Sequence, residues 1–179
     1  MTGTISIKRV TESDADQLLD LSRKTFFDAF AHLNNPADME AYAAMAFRHE
    51  KLLSELLDPD TSFYFAFVDS AIAGYIKLNT GSAQTEFKDE DGLEVERIYV
   101  HAAFQGRQVG NQLLNFAINA AIEHQHPYIW LGVWEHNHGA IRFYERNGFK
   151  PFSTHSFMQG SDTQTDILMK RGLIFSTEG

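Results

Sequence analysis

Two glutamates separated by one residue set up the chemistry of this chain. The stretch Leu93-Glu-Val-Glu-Arg-Ile-Tyr-Val100 is dense in β-branched and aromatic residues and reads as a strand. Residues two apart on a strand share a face, so Glu94 and Glu96 project to the same side. Two carboxylates on one half-buried face raise each other's pKa and together attract a cation. That suits a general base next to an anchoring charge. Past this strand, Ala102 to Val109 is polar and basic, with Gly106 inside it and Gly110 at its end. Leu113, Leu114, Ala117, Ile118, Ala121 and Ile122 then recur at helical spacing. A loop that feeds a helix start offers unpaired backbone N–H groups and the positive end of the helix dipole. Those features suit a phosphate, and Arg107 adds a charge-assisted donor. The residues alone give a pyrophosphate cradle beside a strand bearing two carboxylates. The plain alternative is an ordinary strand-to-helix turn with Arg107 solvated. A P-loop is excluded because no Gly-Lys-Ser/Thr closes the loop. A dinucleotide fingerprint is excluded because the three spaced glycines are absent.

The elements that must position these groups follow from hydrophobic spacing. Thr4 to Val10 alternates and reads as a strand. Ser13, ahead of Asp14 and Asp16, caps a helix that runs to about Ala31 on Leu18, Leu21, Phe26, Phe27 and Phe30. Pro36 starts a helical stretch to about Leu57, in two pieces. Ser62 to Val68 and Ala71 to Asn79 read as a hairpin around Asp69-Ser70. Ala83 to Gly92 is acidic and reads as a flexible, solvated loop. Beyond the central helix, which ends at His124-Gln-His-Pro127, Tyr128 to Val133 reads as a strand. His138 to Asn147 reads as a short helix with Gly148 as its left-handed end residue. Phe149 to His155 and Thr165 to Lys170 complete the sheet. The order βαα-ββ-βα-βα-ββ implies a mixed α/β sheet.

Composition narrows the classes. The 179 residues, 44% hydrophobic, fit one domain spanning 1–179. The absence of cysteine removes a thiol nucleophile, a disulfide framework and a cysteine-ligated metal site. The N-terminal stretch has no apolar core of signal-peptide length, and no run approaches membrane-spanning length, so the expected location is cytoplasmic. A net charge of −9 argues against a nucleic-acid surface and favours a cationic substrate through steering. The pairs His124/His126 and His136/His138 do not face one another on a helix and complete no ligand set, so no metal is expected.

Several segments carry a family resemblance. Phe104-Gln-Gly-Arg-Gln-Val-Gly110 resembles the Gln/Arg-x-x-Gly-x-Gly/Ala loop of the GNAT superfamily of acetyl-CoA-dependent N-acetyltransferases. Trp130 to Asn137 and Ala140-Ile-Arg-Phe-Tyr-Glu-Arg-Asn-Gly-Phe149 resemble its second half. Leu93 to Val100, Trp130 to Asn137, and His155-Ser-Phe with Gln164-Thr-Asp166 resemble the bacterial spermine/spermidine N-acetyltransferases of the PaiA type. Thr25-Phe-Phe-Asp-Ala-Phe30 and Met39-Glu-Ala-Tyr42 extend the likeness toward the N-terminus.

The resemblance implies a GNAT-like fold: a mostly antiparallel sheet with a splayed pair of parallel strands, flanked by helices. It implies acetyl-CoA as co-substrate. Ile98, Tyr99, Val100, Gln105, Gly106, Arg107, Gln108, Val109, Gly110, Asn111, Asn137 and Tyr144 would lie along the cofactor. Backbone N–H groups around Ile98 to Val100 would receive the pantetheine arm as if it were a neighbouring strand. Tyr144 matches the superfamily's general acid. The base falls nearer Glu94 by alignment, with Glu96 the other candidate. Phe26, Trp134 and His155 are candidates for the substrate pocket, with core packing the competing reading for Phe26 and a surface position for His155. The family's first loop glycine falls on Gln108, where a side chain crowds the pyrophosphate or adopts a backbone angle that favours glycine.

The implied activity is acetyl transfer to a primary amine of a polyamine, by direct attack in a ternary complex. The implied partners are a polycationic amine and, as an open option, a second copy of the chain. A peptide or other small amine is the alternative acceptor. A non-catalytic acyl-CoA-binding module is the alternative from another class.

Overall fold

The computed structural model describes residues 3–88, 91–159 and 161–173. Asp89 and Glu90, which belong to the acidic loop read from the sequence, lie outside the described residues. Strands β1 (Ile5–Arg9), β2 (Thr61–Val68), β3 (Ala71–Asn79), β4 (Gly92–Val100), β5 (Tyr128–Trp134), β6 (Lys150–Gln159) and β7 (Asp162–Gly172) form one sheet. Its order is β1-β2-β3-β4-β5-β7-β6. All pairings are antiparallel except β4 with β5. This is the mixed sheet expected from the sequence.

Helices α1 (Ala15–Phe30), α2 (Pro36–Ala46) and α3 (His49–Leu57) lie along the N-terminal half. Helices α4 (Val109–Glu123) and α5 (His138–Arg146) follow β4 and β5. The apolar face of α4, with Leu113, Leu114, Ala117, Ile118 and Ala121, packs on Ile76, Leu78, Leu93, Val95 and Ile129. Each fully buried leucine, isoleucine or valine among these contributes about 1.5–3 kcal/mol relative to its exposed state. On the other face, Leu18 and Leu21 of α1 and Leu52 of α3 pack on Phe63, Phe65 and Tyr75. The β4 glutamates and the polar residues of β3 share this second face.

Two features of the sheet shape the site. The β4–β5 pairing runs only from Gly92↔Tyr128 to Val95↔Leu131, and the strands then diverge. Beyond Val95, β4 therefore keeps β3 on one side and presents an open backbone edge on the other. The β3–β4 register also shifts, from Leu78↔Val95 to Lys77↔Arg97, leaving Glu96 as the extra residue of a bulge. A bulge re-aims the side chains around it. It leaves Ile98 and Val100 against α4, while the Arg97 guanidinium sits 5.0 Å from the Phe47 ring and Tyr99 meets Phe30.

Several boundaries differ from the sequence reading. The first cap is Thr11 rather than Ser13: Thr11 and Asp14 form a capping box over a short 3-10 turn, Glu12–Asp14, that leads into α1. The β6–β7 hairpin is longer than expected. Its distal half carries Ser153, Thr154, His155, Ser156 and Thr163, all exposed, and such polarity hides a strand from apolar alternation. The loop before β4 is not simply solvated. Gln84 is buried, and its Oε1 accepts the Trp130 Nε1 hydrogen at 2.7 Å.

Candidate active site

The loop after β4 delivers the groups expected of an anion cradle. Gln105, Gly106, Arg107 and Gln108 are all exposed. Gly106 has φ 78° and Gln108 φ 66°, both left-handed, and Gln108 is the N-cap of α4. A non-glycine residue pays strain for that conformation. Asn111 offsets part of it, because its amide donates to Gln108 Oε1. Gln112 N is the first amide to return to the cap, bonding Gln108 O at 3.0 Å, so the N–H groups of Val109, Gly110 and Asn111 face outward. The Arg107 guanidinium rests 5.6 Å from the Phe104 ring. Gln108→Gly relieves the strained angle, so its expected effect is stabilisation by about 0.5–1 kcal/mol. A thermal melt reads it, and a lowered Tm would show that the Asn111 bond outweighs the strain.

The two glutamates are brought together on one face. The Asn79 amide donates to Glu94 Oε1 at 2.9 Å and to Glu96 Oε2 at 3.1 Å. Their environments then diverge. Glu94 is 2% exposed. It also accepts from Thr85 N at 2.9 Å and from the Thr85 hydroxyl. Burial pushes its carboxyl above the ordinary value, against the pull of those hydrogen bonds. Glu96 is half-buried, and Lys77 and Arg97 more than offset its desolvation and hold its carboxyl below the ordinary range. The expectation that each glutamate raises the other's pKa therefore fails for Glu96. The cause is a pair of cations, one on β3 and one at the bulge.

Tyr144 lies on α5 and is 8% exposed, with its ring beside Phe143 and Phe149. Burial alone raises its pKa, and it is close enough to Tyr99 to raise that phenol's pKa as well. Asn137 caps α5, its side-chain oxygen accepting from Ala140 N at 3.2 Å, which leaves its amide hydrogens for another partner. Ile98, Tyr99 and Val100 sit on the open edge of β4.

The substrate-side candidates separate. Phe26 is 6% exposed and packs among Phe27, Phe30, Tyr42 and Phe47, so it is core. Phe30, one turn on, meets Tyr99 and Trp134 at 6.4 and 5.9 Å. Trp134 is fixed through its Nε1, which donates to Gln164 Oε1 at 2.5 Å. His155 stands half-exposed on β6 and pairs with Glu86. Opposite His155, and opposite Trp134 on the other side, lies Asp166. Burial pushes the Asp166 carboxyl up to about 6; His155 lowers it and Glu86 raises it further.

Lys77, Asn79, Thr85, Arg97, Tyr42 and Asp166 carry no role in the sequence reading. Tyr42 and Asp166 fall inside segments quoted for the resemblance, yet nothing in one sequence gives them a role. A signal for Lys77 and Asn79 was present: polar residues two apart in an apolar strand mark a face with its own partners. Among the described residues no group of histidines and carboxylates could hold a metal ion. None of their helices is long and apolar enough to cross a membrane.

An exposed loop enters a helix start, with an open strand edge beside it and the Glu94 and Glu96 carboxylates on the same strand. The chain belongs to the acetyltransferase (GNAT) family, whose model matches residues 15–149. It is an N-acetyltransferase that uses acetyl-CoA. It is 43% identical over 174 residues to an uncharacterised N-acetyltransferase from the pepI 3′ region of Lactobacillus delbrueckii subsp. lactis, covering 97% of this chain and all of that one. A spermidine N(1)-acetyltransferase of Thermoplasma acidophilum is 25% identical over 163 residues, covering 89% of this chain and 94% of the relative. Among solved structures, a PaiA N-acetyltransferase of Thermoplasma acidophilum in complex with coenzyme A superposes with a TM-score of 0.78. It is 24% identical and covers 95% of this chain and 99% of that one.

Proposed function

We propose that the protein acetylates a primary amine of a polyamine of the spermine/spermidine class, by direct attack of the amine in a ternary complex. The observation that carries this is an aromatic row, Tyr42, Phe26, Phe30 and Trp134, that ends at Asp166, the cross-strand partner of Trp134. Burial raises the pKa of the Tyr42 phenol; Arg97 lowers it, and Glu96 on β4 and Asp166 on β7 raise it further, so both carboxylates act on that ring. Methylene chains suit the aromatic faces, and ammonium groups suit the carboxylates and ring quadrupoles. The spermidine acetyltransferase relative supports the same substrate class.

Each chain residue has a separate task. The α4 start, with Gly106 and Arg107, receives the diphosphate of acetyl-CoA. The open edge at Ile98 to Val100 receives the pantetheine arm, with Asn137 at its other side, and a backbone N–H there stabilises the oxyanion. Glu94, with its raised pKa, takes the amine's proton. Its oxygens already accept three hydrogen bonds, so the proton reaches it through a water. Glu96, held ionised, anchors the ammonium. Tyr144 protonates the departing thiolate. Carboxylates driven apart in pKa divide the roles of base and anchor.

Free-thiol release over an amine panel tests the reading. Spermine and spermidine turn over with KM values that rise steeply with salt. Preference for singly charged amines with little salt dependence would instead assign a peptide or small-amine acceptor. Calorimetric binding of acetyl-CoA without thiol release from any amine would assign a non-catalytic module.

Asp166 gives a further expected result. Its folded pKa of about 6 lies above the ordinary 3.8, so the native state holds the proton more tightly than the unfolded state. Stability from this group is therefore full at low pH and is lost as pH rises from about 4 through about 6. Asp166→Asn removes that loss, and the variant gains about 1–2 kcal/mol over the parent between pH 4 and pH 7, after allowance for partial exposure. Urea melts at the two pH values read the difference. An equal offset at both would contradict it.

A further inference from the structure

Glu96 is not alone in its pocket. Lys77, 4% exposed, lies between two carboxylates, paired to Glu96 Oε2 and to Glu55 Oε2, the latter at 3.3 Å. Glu55 comes from α3 and is paired outward to Lys51 at 3.9 Å. The Lys77 ammonium also lies 5.5 Å from the Phe63 ring. A buried ammonium with carboxylates on two elements is fixed in place, because any other position strands a charge away from water. The chain of charge thus runs from the outer face of α3 through Lys77 to the bulge of β4. We propose that Lys77, braced by Glu55, is a positioning residue that holds Glu96 as an anion at the acceptor end of the site.

The inference deepens the polyamine reading and rests on its assignment of Glu96 as the ammonium anchor. Lys77 and Glu55 themselves touch no substrate in that reading. Among the described residues, groups on four elements act on Glu96 or on its lysine partner. Lys77, Tyr75 and Asn79 come from β3, Glu94 and Arg97 from β4, Tyr42 from α2, and Glu55 from α3 behind Lys77. Arg97 is the second cation, but its place is fixed by the bulge and by Phe47. Lys77 is the cation whose place depends on another helix.

The test follows the Glu96 carboxyl carbon by NMR titration of glutamate-labelled protein, with the resonance assigned by its loss in Glu96→Gln. Lys77→Met moves the Glu96 titration up by about 1–3 pH units, and Lys77→Arg returns it to within about half a unit. Glu55→Gln moves it down, because a repelling charge has gone and Lys77 then serves Glu96 alone. General loosening of the fold would carry Glu96 toward its ordinary value in both variants, so opposite signs exclude a merely structural effect. Lys77→Gln serves if Lys77→Met does not fold, and Glu55→Gln reads the same network from outside. An unmoved Glu96 titration in folded Lys77→Met or Lys77→Gln, or an upward shift in Glu55→Gln, overturns the proposal. At pH 6 the spermine KM of Lys77→Met rises several-fold with kcat little changed. If Glu96→Gln leaves the spermine KM unaltered, the anchor assignment fails separately, and the titration still reports on Lys77.

Discussion

Glu94→Gln lowers kcat/KM for spermine by about 10²–10³-fold and removes the rise in rate with pH. An alkyl ammonium has a pKa near ~10.4, so at neutral pH attack waits on loss of a proton. A base does this best when its own pKa approaches the working pH. Burial lifts Glu94 toward that range, while Lys77 and Arg97 press Glu96 away from it. Glutamine keeps the volume of Glu94 and most of its bonds to Asn79 and Thr85, so the fold survives and the lost rate reports the lost base. Glu96→Gln behaves differently: the spermine KM rises and the pH profile keeps its limb. If neither variant moves that limb, bulk water is the base.

Tyr144→Phe lowers kcat by about 10²-fold while the acetyl-CoA Kd stays within about twofold. A thiol leaves with a pKa near ~8.5, so a proton delivered at departure helps, and the buried phenol holds its proton throughout the working range. The ring already packs against Phe143 and Phe149, and phenylalanine keeps those contacts. A tyrosine serving the core alone would show a changed Tm and an unchanged kcat. A single-turnover rate with acetyl-CoA in excess separates the outcomes, because it isolates the chemical step from product release.

Local rules made much of this architecture legible. The two-residue spacing of Glu94 and Glu96 placed them on one face, and the shared Asn79 amide agrees with it. The loop from Gln105 to Gly110 announced a helix start that faces outward, and of the two outcomes left open at Gln108, a crowded pyrophosphate or a backbone angle that favours glycine, the left-handed angle is present. What stayed hidden depends on partners distant in sequence. The bulge at Glu96 arises from the pairing with β3 and leaves no mark in the β4 sequence itself. The polar stretch before β4 looks solvated because Gln84 meets Trp130 and Thr85 meets Glu94 only once the sheet is assembled. Lys77 looks like an exposed lysine until α3 brings Glu55 to it. Phe26 and Phe30 have the same residue type on the same helix, and only packing makes one core and the other part of the row beside Trp134.

The central claim is that the α4 start and the open β4 edge hold acetyl-CoA with its acetyl group toward the carboxylates. Titration of acetyl-CoA into ¹⁵N-labelled protein, followed by amide exchange, addresses it most directly. The account predicts shifts and added protection at Ile98 to Val100 and at Gly106 to Asn111, in one saturating event. Its rival on charge alone is the cleft lined by Lys150, Phe152, Lys170 and Arg171, at the opposite end of β5. Shifts confined to that cleft, with the α4 start unmoved, would contradict the account.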